Sequence, residues 1–349
     1  MSKDAFLRET VEHVDIARID AVPILEMMGR MAFSARDLAR AARIYEKMLA
    51  DRDCSIILCL AGSLFSAGLK RVVLDLVRNN MVDVIVSTGA IMVDQDFFEA
   101  LGFRHYVGDP AGDDRRLQEA RVDRIYDTYI DEDQLRICDD TVREIADGLE
   151  PCAYSSREFI AELGRHLETR EGGADSVTLA AWKAGVPVFV PAFADCSAGF
   201  GLIEHQHARP ERHVVLDCVK DFLEFARIKA AAAETGLLMI GGGAPKNFAQ
   251  DCAVATAFLG REERAHKYAV QITVADARDG GLSGSTLREA HSWGKVALEN
   301  EQMVFCEATI AFPLMAAYAL QRGTWKGRAP RRWADMLESR SGDRASVGS

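Results

Sequence analysis

No C-x-x-C pair occurs among the eight cysteines of this 349-residue chain. Most of them sit in apolar runs such as Ile57-Leu58-Cys59-Leu60, the pattern of reduced, buried thiols and not of a disulfide scaffold. Met1-Ser2-Lys3-Asp4 lacks the basic-then-apolar opening of an export signal. No uncharged apolar run approaches the roughly 18 residues that a membrane span needs. Acidic residues outnumber basic ones, 53 to 42: the net charge of −11 argues against nucleic acid as the main partner and mildly favours cationic ligands. Internal repeats and low-complexity linkers are absent. A soluble cytoplasmic protein with no membrane or nucleic-acid partner is expected.

Several catalytic signatures are missing too. The chain has neither H-E-x-x-H nor G-x-S-x-G. Glu204-His205-Gln206-His207 spaces its histidines two apart, which a helix points in different directions. No metal site is expected.

What is present is a large apolar fraction, 48%, arranged in short runs between helical patterns. Residues 36–50 read as an amphipathic helix. Cys54–Leu60 reads as a buried strand, followed by a helix from about Ala67 to Asn80 and a second strand over Val82–Ser87. Ser155-x-x-Glu158 is a capping box that opens a helix to about Leu167. Pro187–Pro191, Val214–Leu216, Leu237–Ile240, Ala269–Thr273 and Met303–Cys306 are further strand candidates. This alternation predicts an α/β fold: a doubly wound, mostly parallel sheet with helices on both faces. Residues 1–322 are expected to form one domain with an N-terminal helical segment. Residues 323–349, with Arg328, Arg331 and Arg332 among Gly, Ser and Pro, form an extension. Trp325 and Trp333 dock its first part, and its last ten or so residues are expected to be disordered.

In such sheets ligands bind where loops leave the carboxyl ends of strands. Ala61-Gly62-Ser63-Leu64-Phe65-Ser66 follows the first strand, and its small residues let backbone N–H groups meet a phosphate. Thr88-Gly89-Ala90 follows the second and leads to Asp94-Gln95. Gly241-Gly242-Gly243-Ala244-Pro245-Lys246-Asn247 puts Pro245 at a helix start, but matches neither G-x-G-x-x-G nor a Walker loop. Each loop alone also reads as a tight connection; together they favour a dinucleotide. Asp195 ends another strand, where an Asp holds a ribose hydroxyl or caps a helix.

The densest chemistry lies in Glu289-Ala290-His291-Ser292-Trp293-Gly294-Lys295. On a helix Glu289 and Trp293 share a face, and Gly294 can end the helix and redirect Lys295. A carboxylate and an indole face together bind an organic cation, and a lysine attacks a carbonyl or imine carbon. A lysine must be neutral to attack, which an apolar wall favours. The same heptad also reads as a helix end with a packed indole and a solvated lysine.

Glu289-Ala290-x-Ser292-Trp293-Gly294-Lys295, with Tyr268-Ala269-Val270, Asp279-Gly280, Ser283-Gly284, Gly241-Gly242-Gly243-x-x-Lys246 and Asn79-Asn80-Met81-Val82-Asp83-Val84, resembles deoxyhypusine synthase. The likeness runs from about Cys54 to Leu320 and extends to homospermidine synthases and bacterial deoxyhypusine-synthase-like proteins. It implies NAD-dependent aminobutyl transfer: a polyamine is dehydrogenated to an imine, a lysine captures the four-carbon fragment, an acceptor amine takes it, and the hydride returns. It makes Lys295 the covalent lysine, with Glu289 and Trp293 as the donor-site acid and aromatic. Gly62, Ser63, Ser66, Thr88, Gly89 and Ala90 match NAD contacts, as do Asp195, Gly242 and Ala308. Glu307 stands for an Asp, and Val274 for a threonine that touches NAD. Asp94 and Gln95 stand at an adjacent Glu-Glu pair, Asp94 on the substrate side and Gln95 on the cofactor side; Gly280 belongs to the donor site. The resemblance also implies a homotetramer with sites between paired subunits.

Three positions depart from that pattern. Phe200 and Leu282 replace acids that grip spermidine, and Asn247 replaces a histidine. A lost charge-assisted contact is worth roughly 1.5–3 kcal/mol, so the donor end fits a smaller or differently placed polyamine. His291 reads as a surface histidine or as replacement acid–base capacity. The expectation is a polyamine transferase making homospermidine from putrescine or spermidine. Alternatives are deoxyhypusine synthesis on a lysine of the hypusine-containing translation factor, a catalytically silent polyamine or NAD sensor, and an NAD-free Schiff-base aldolase.

Overall fold

The structure, a computed structural model, describes residues 3–345. Its centre is a six-stranded sheet in which every paired neighbour is parallel. The strands are β1 (Cys54–Leu60), β2 (Val84–Ser87), β3 (Val188–Phe189), β4 (Glu234–Ile240), β5 (Tyr268–Thr273) and β6 (Glu301–Phe305), in the order β6-β5-β4-β1-β2-β3. Their near-continuous apolar runs follow from burial on both faces. Alternate residues of β1 go opposite ways: Ile56, Leu58 and Leu60 join one apolar cluster, Ile57 and Cys59 the other.

Helix α1 (Phe33–Ala50) buries Leu38, Ala41, Ala42, Tyr45, Met48 and Leu49, the spacing of one helical face. It joins the first cluster, as does α2 (Lys70–Arg78) through Val72, Val73 and Leu76. Helix α3 (Gly243–Ala255) joins the second through Ala249 and Cys252. The helices that follow β1 and β4 therefore pack on opposite faces. Because β1 and β4 are neighbours, their loops diverge from a crevice at the carboxyl ends of the two strands. The register aligns those ends: Leu60 is opposite Ile240 and Ser87, and Ile240 opposite Ile272.

Some elements differ from expectation. Val215–Leu216 forms a strand but pairs with Ala153–Tyr154 in a separate two-stranded sheet. A three-stranded antiparallel sheet (Tyr106–Val107, Thr128–Asp131, Val122–Ile125) was not foreseen. The helix expected from Ala67 opens with a wider turn over Phe65–Leu69. Pro245 lies in the first turn of α3, two residues beyond its start. The capping box at Ser155 and Glu158 forms as expected and opens Ser156–Leu167.

The C-terminal segment folds back beneath the amino ends of the strands. Arg328 Nη2 donates to Asp83 Oδ2 (2.6 Å) and to Cys54 O (3.1 Å), and the helix Trp333–Ala345 follows. Of the stretch expected to be disordered, this helix reaches Ala345, and residues 346–349 lie outside the described residues. All eight cysteines are unpaired. Among the described residues no helix is long and apolar enough to cross a membrane, and no cluster of His, Cys, Asp and Glu could hold a metal ion.

Candidate active site

The glycine loops meet in the crevice. Gly241 has φ +84°, and a Cβ there would lie 2.5 Å from Ala61 O, so the loops leaving β1 and β4 touch backbone to backbone. A Cβ on Gly242 would lie 2.5 Å from Ser283 Cα. Ser283 Oγ accepts from Gly243 N (2.9 Å), while Gln271 Nε2 donates to Gly241 O (3.0 Å) and Ser283 O (2.9 Å). The Asp279–Gly284 loop is thereby clamped over the triplet. Lys246 is almost wholly buried and donates to the Ser285 carbonyl and hydroxyl. Burial pushes its amine down to about 8, against the opposing pull of the Glu289 charge.

Helix α4 (Leu287–Ser292) starts with a capping box: Thr286 Oγ1 accepts from Glu289 N (3.0 Å), and Glu289 Oε2 accepts from Thr286 N (3.3 Å). The Glu289 carboxylate thus has a structural duty besides any toward an amine. Gly294, with φ +72°, ends the helix, and Lys295 N donates back to Ala290 O (3.1 Å). Lys295 O accepts from His266 N (2.9 Å), which fixes the lysine backbone beside β5.

The Lys295 side chain leads to α3. Its Nζ lies 2.6 Å from Asp251 Oδ1 and 3.4 Å from Asn247 Oδ1, and 5.2 Å from the centre of the Trp293 ring. Asn247 Nδ2 donates to Asp251 Oδ2 (2.8 Å), closing a triangle. The sequence reading missed Asp251. The sequence carries a partial signal: positions 247 and 251 are one turn apart on the helix that opens at the triplet, which links Asp251 to Asn247 but not to Lys295. The expected apolar wall is also modified, because the nearest partner of the amine is a carboxylate and Trp293 is 65% exposed. His291 is turned away to the Val296 carbonyl (Nδ1–O 2.8 Å), a helix-end contact.

A second set gathers at β2 and β3. A Cβ on Gly89 would lie 2.5 Å from Cys196 Sγ, so the Thr88-Gly89-Ala90 turn packs on the Asp195 loop. Asp94 Oδ2 accepts from Ser197 N (3.0 Å) and Asp139 Oδ1 from Ser197 Oγ (2.7 Å). Burial raises the Asp94 carboxyl and pushes that of Asp139 up to about 7. Gln95 is buried, and its Oε1 accepts from Phe65 N (2.9 Å) and Ser66 N (3.0 Å), shaping the Gly62-Ser63-Ser66 loop from behind. Asp195 is exposed, as are Val274 and Phe200, the last at 63%. Leu282 is 48% exposed, and Gly280 has φ +73° in open space. Glu307 caps the helix that starts at Ala308, accepting from Thr309 N (2.8 Å).

A polar group with phosphates and ribose hydroxyls fits this crevice. Gly62 (φ +101°) and Gly243 (φ +61°) open backbone there. The buried hydroxyls of Ser87 and Thr88 and the Asp94 Oδ1 atom have no hydrogen-bond partner among the described residues.

Comparison with known proteins agrees with the motifs. The deoxyhypusine synthase family profile matches residues 23–319. The chain is 57% identical over 334 residues to a deoxyhypusine synthase-like protein of Elusimicrobium minutum, covering 95% of this chain and 89% of that one. It is 56% identical over 341 residues to a deoxyhypusine synthase-like protein of Chlorobaculum parvum, with 97% of each covered. A protein of Methanosarcina mazei named "Probable deoxyhypusine synthase 2" is 37% identical over 325 residues, 93% of each. The fold is shared with the crystal structure of an Entamoeba histolytica protein assigned as a deoxyhypusine synthase, at TM-score 0.60 and 18% identity, covering 89% of this chain and 97% of that one. The chain belongs to the deoxyhypusine synthase family, a family of transferases.

Proposed function

We infer that the chain transfers an aminobutyl group between amines through Lys295, with NAD as cofactor, and that its product is homospermidine made from putrescine or spermidine. One observation carries this reading: Lys295 Nζ stands beside Trp293, Asp251 and Asn247, the last two on the helix that opens at the glycine triplet. The order β6-β5-β4-β1-β2-β3, read from its far edge, is 3-2-1-4-5-6, an order also found in doubly wound dinucleotide domains, which supports the cofactor reading.

NAD, when bound, takes up the hydride from the amine-bearing carbon and returns it. Gly62, Ser63, Ser66, Thr88, Gly89 and Ala90 would hold its phosphates and ribose with Gly242, and Asp195, Glu307 and Ala308 would line the nucleoside end. Gln95 acts behind the loop, and Val274 offers only apolar contact. The Trp293 face lines the alkyl chain and attracts its ammonium, Glu289 and Asp94 supply negative charge, and Lys295 forms the covalent bond. Phe200 and Leu282 bring apolar surface where acids would grip a longer polyamine, which favours a small amine as acceptor.

Trp293, Phe200, Val274 and Ile310 are all exposed, more apolar surface than a closed site leaves in water. A second copy of the chain would cover it, and a homotetramer with sites between paired subunits fits. The unpaired cysteines suit a reducing cytoplasm.

Incubation of the purified protein with NAD, putrescine and spermidine should yield homospermidine by mass spectrometry. Modification of a lysine of the hypusine-containing translation factor, without homospermidine, would overturn the choice of acceptor in favour of deoxyhypusine synthesis.

A further inference from the structure

Asp251 engages both of its oxygens. Oδ1 meets the Lys295 ammonium at 2.6 Å, and Oδ2 accepts from Asn247 Nδ2 at 2.8 Å. Asn247 Oδ1 meets the same ammonium at 3.4 Å. The arrangement is partly open: the Asp251 side chain is 31% exposed and that of Lys295 12%. Solvent and ligands therefore reach the carboxylate more readily than the amine behind it.

This geometry poses a problem for a nucleophile. An ammonium held by a carboxylate has no lone pair to donate, so the ion pair must loosen before Lys295 can attack. A di- or polyamine brings its own ammonium, which needs a counter-charge in the same place. Glu289 is partly committed to its capping box, while the Asp251 carboxylate adjoins the nucleophile itself.

We propose that Asp251 is a positioning residue that exchanges one ammonium for another. In the empty site it holds Lys295. When an amine substrate enters, Asp251 takes the substrate ammonium and leaves the lysine amine to Asn247. Substrate binding and release of the nucleophile are then one event. The inference rests on the transferase reading for its substrate class, an aliphatic di- or polyamine.

The covalent step balances. The first proton of Lys295 goes to the nitrogen of the substrate imine, and the freed lone pair forms the Nζ–C bond. The bond from that carbon to the departing nitrogen breaks as the second proton follows. A lysine imine cation and a neutral amine replace a lysine ammonium and a neutral imine.

The test compares the full-length wild type with Asp251→Asn and Asp251→Glu. Without NAD or amine, reductive methylation of Lys295 by formaldehyde and cyanoborohydride at neutral pH is followed by peptide mass spectrometry. Asp251→Asn should label about tenfold faster than wild type, and Asp251→Glu close to the wild-type rate. In calorimetry without NAD, putrescine should bind about tenfold or more weakly to Asp251→Asn, with recovery in Asp251→Glu; the loss of one charge-assisted contact sets that scale. A structural role alone would leave the labelling rate unmoved. Equal labelling of Asn variant and wild type, or unchanged putrescine affinity, overturns the proposal. If both effects appear but no aminobutyl product forms, the transferase reading fails and the exchange at Asp251 stands.

Discussion

The two ends of the central sheet use the same strands in opposite ways. At the amino end a buried ion pair ties distant segments together: Arg328 joins Asp83 and the Cys54 carbonyl, Asp83 Oδ2 also accepts from Ile56 N (2.7 Å), and Tyr45 donates to Met81 O (3.1 Å), although Ser55 Oγ and Asp83 Oδ1 keep no partner among the described residues. At the carboxyl end Ser87, Thr88 and Asp94 keep unpartnered atoms, glycines replace side chains, and Leu282 and Phe200 are exposed. One end is held together by a buried ion pair; the other is lined by glycines and exposed apolar side chains, as a surface that takes a ligand or a second chain must be. Parallel strands impose this division, because all their connecting loops of one kind leave from one edge.

The strongest test of the division removes Lys295. Lys295→Ala should lower aminobutyl transfer by roughly 10³-fold or more, the scale on which loss of a nucleophile is felt. Thermal melting should move little, since the Asp251 carboxylate left behind is 31% exposed and keeps its hydrogen bond from Asn247. A large loss of stability with modest loss of turnover would reverse the assignment of roles.

The converse change is made at the other end. Asp83→Ala leaves the Arg328 guanidinium buried without its carboxylate, and breaking such a pair costs about 3–5 kcal/mol. Urea unfolding should show that loss, while turnover per folded molecule stays near wild type. A selective loss of turnover would mean that the amino end communicates with the site.

How much of this was legible in the sequence depends on where burial decided the pattern. Cys54–Leu60 is apolar throughout because both of its faces are covered, so it was read at its true limits. The strands of the small antiparallel sheet are two to four residues long and carry Arg124, Asp123 and Tyr106, too short and polar to show a period. Val214–Leu216 reads as a strand, and Val215–Leu216 is one, but its partner was not legible because pairing is a long-range choice. At the site, the turn at Gly294 followed from chain chemistry alone. Asp251 did not, because its meeting with Lys295 depends on how α3 docks beside a loop some 44 residues onward. Gln95 was read from its position in a motif, whereas its contacts are with the backbone of the neighbouring loop.

A buried lysine at each end sharpens the comparison further. Lys229 donates to Thr235 Oγ1 (2.6 Å) at the start of β4, and Lys246 lies beyond the end of the same strand. Burial pushes each down to about 8 from 10.5. The unfolded chain then binds more protons than the folded one between those values, so each lysine makes stability rise as pH climbs from about 8 towards 10.5. Melting curves of Lys229→Met and Lys246→Met should each lose part of that rise. Lys246→Met alone should also slow transfer, because its amine holds the Ser285 end of the clamped loop.

The smallest effect should come from the indole. Trp293 offers its ring to the Lys295 ammonium at 5.2 Å and remains 65% exposed, a geometry for which cation–π attraction is worth about 0.5–1 kcal/mol. If a ligand and a neighbouring chain exclude water, as proposed above, the same ring gains up to about 2 kcal/mol towards a substrate ammonium. Trp293→Ala should therefore weaken putrescine binding by roughly 2- to 30-fold, and Trp293→Phe by less, since a phenyl ring keeps the apolar wall with a weaker quadrupole. Equal losses for Ala and Phe would show that the indole works by shape and not by attraction. No loss in either would leave Trp293 as packing that happens to stand next to Lys295.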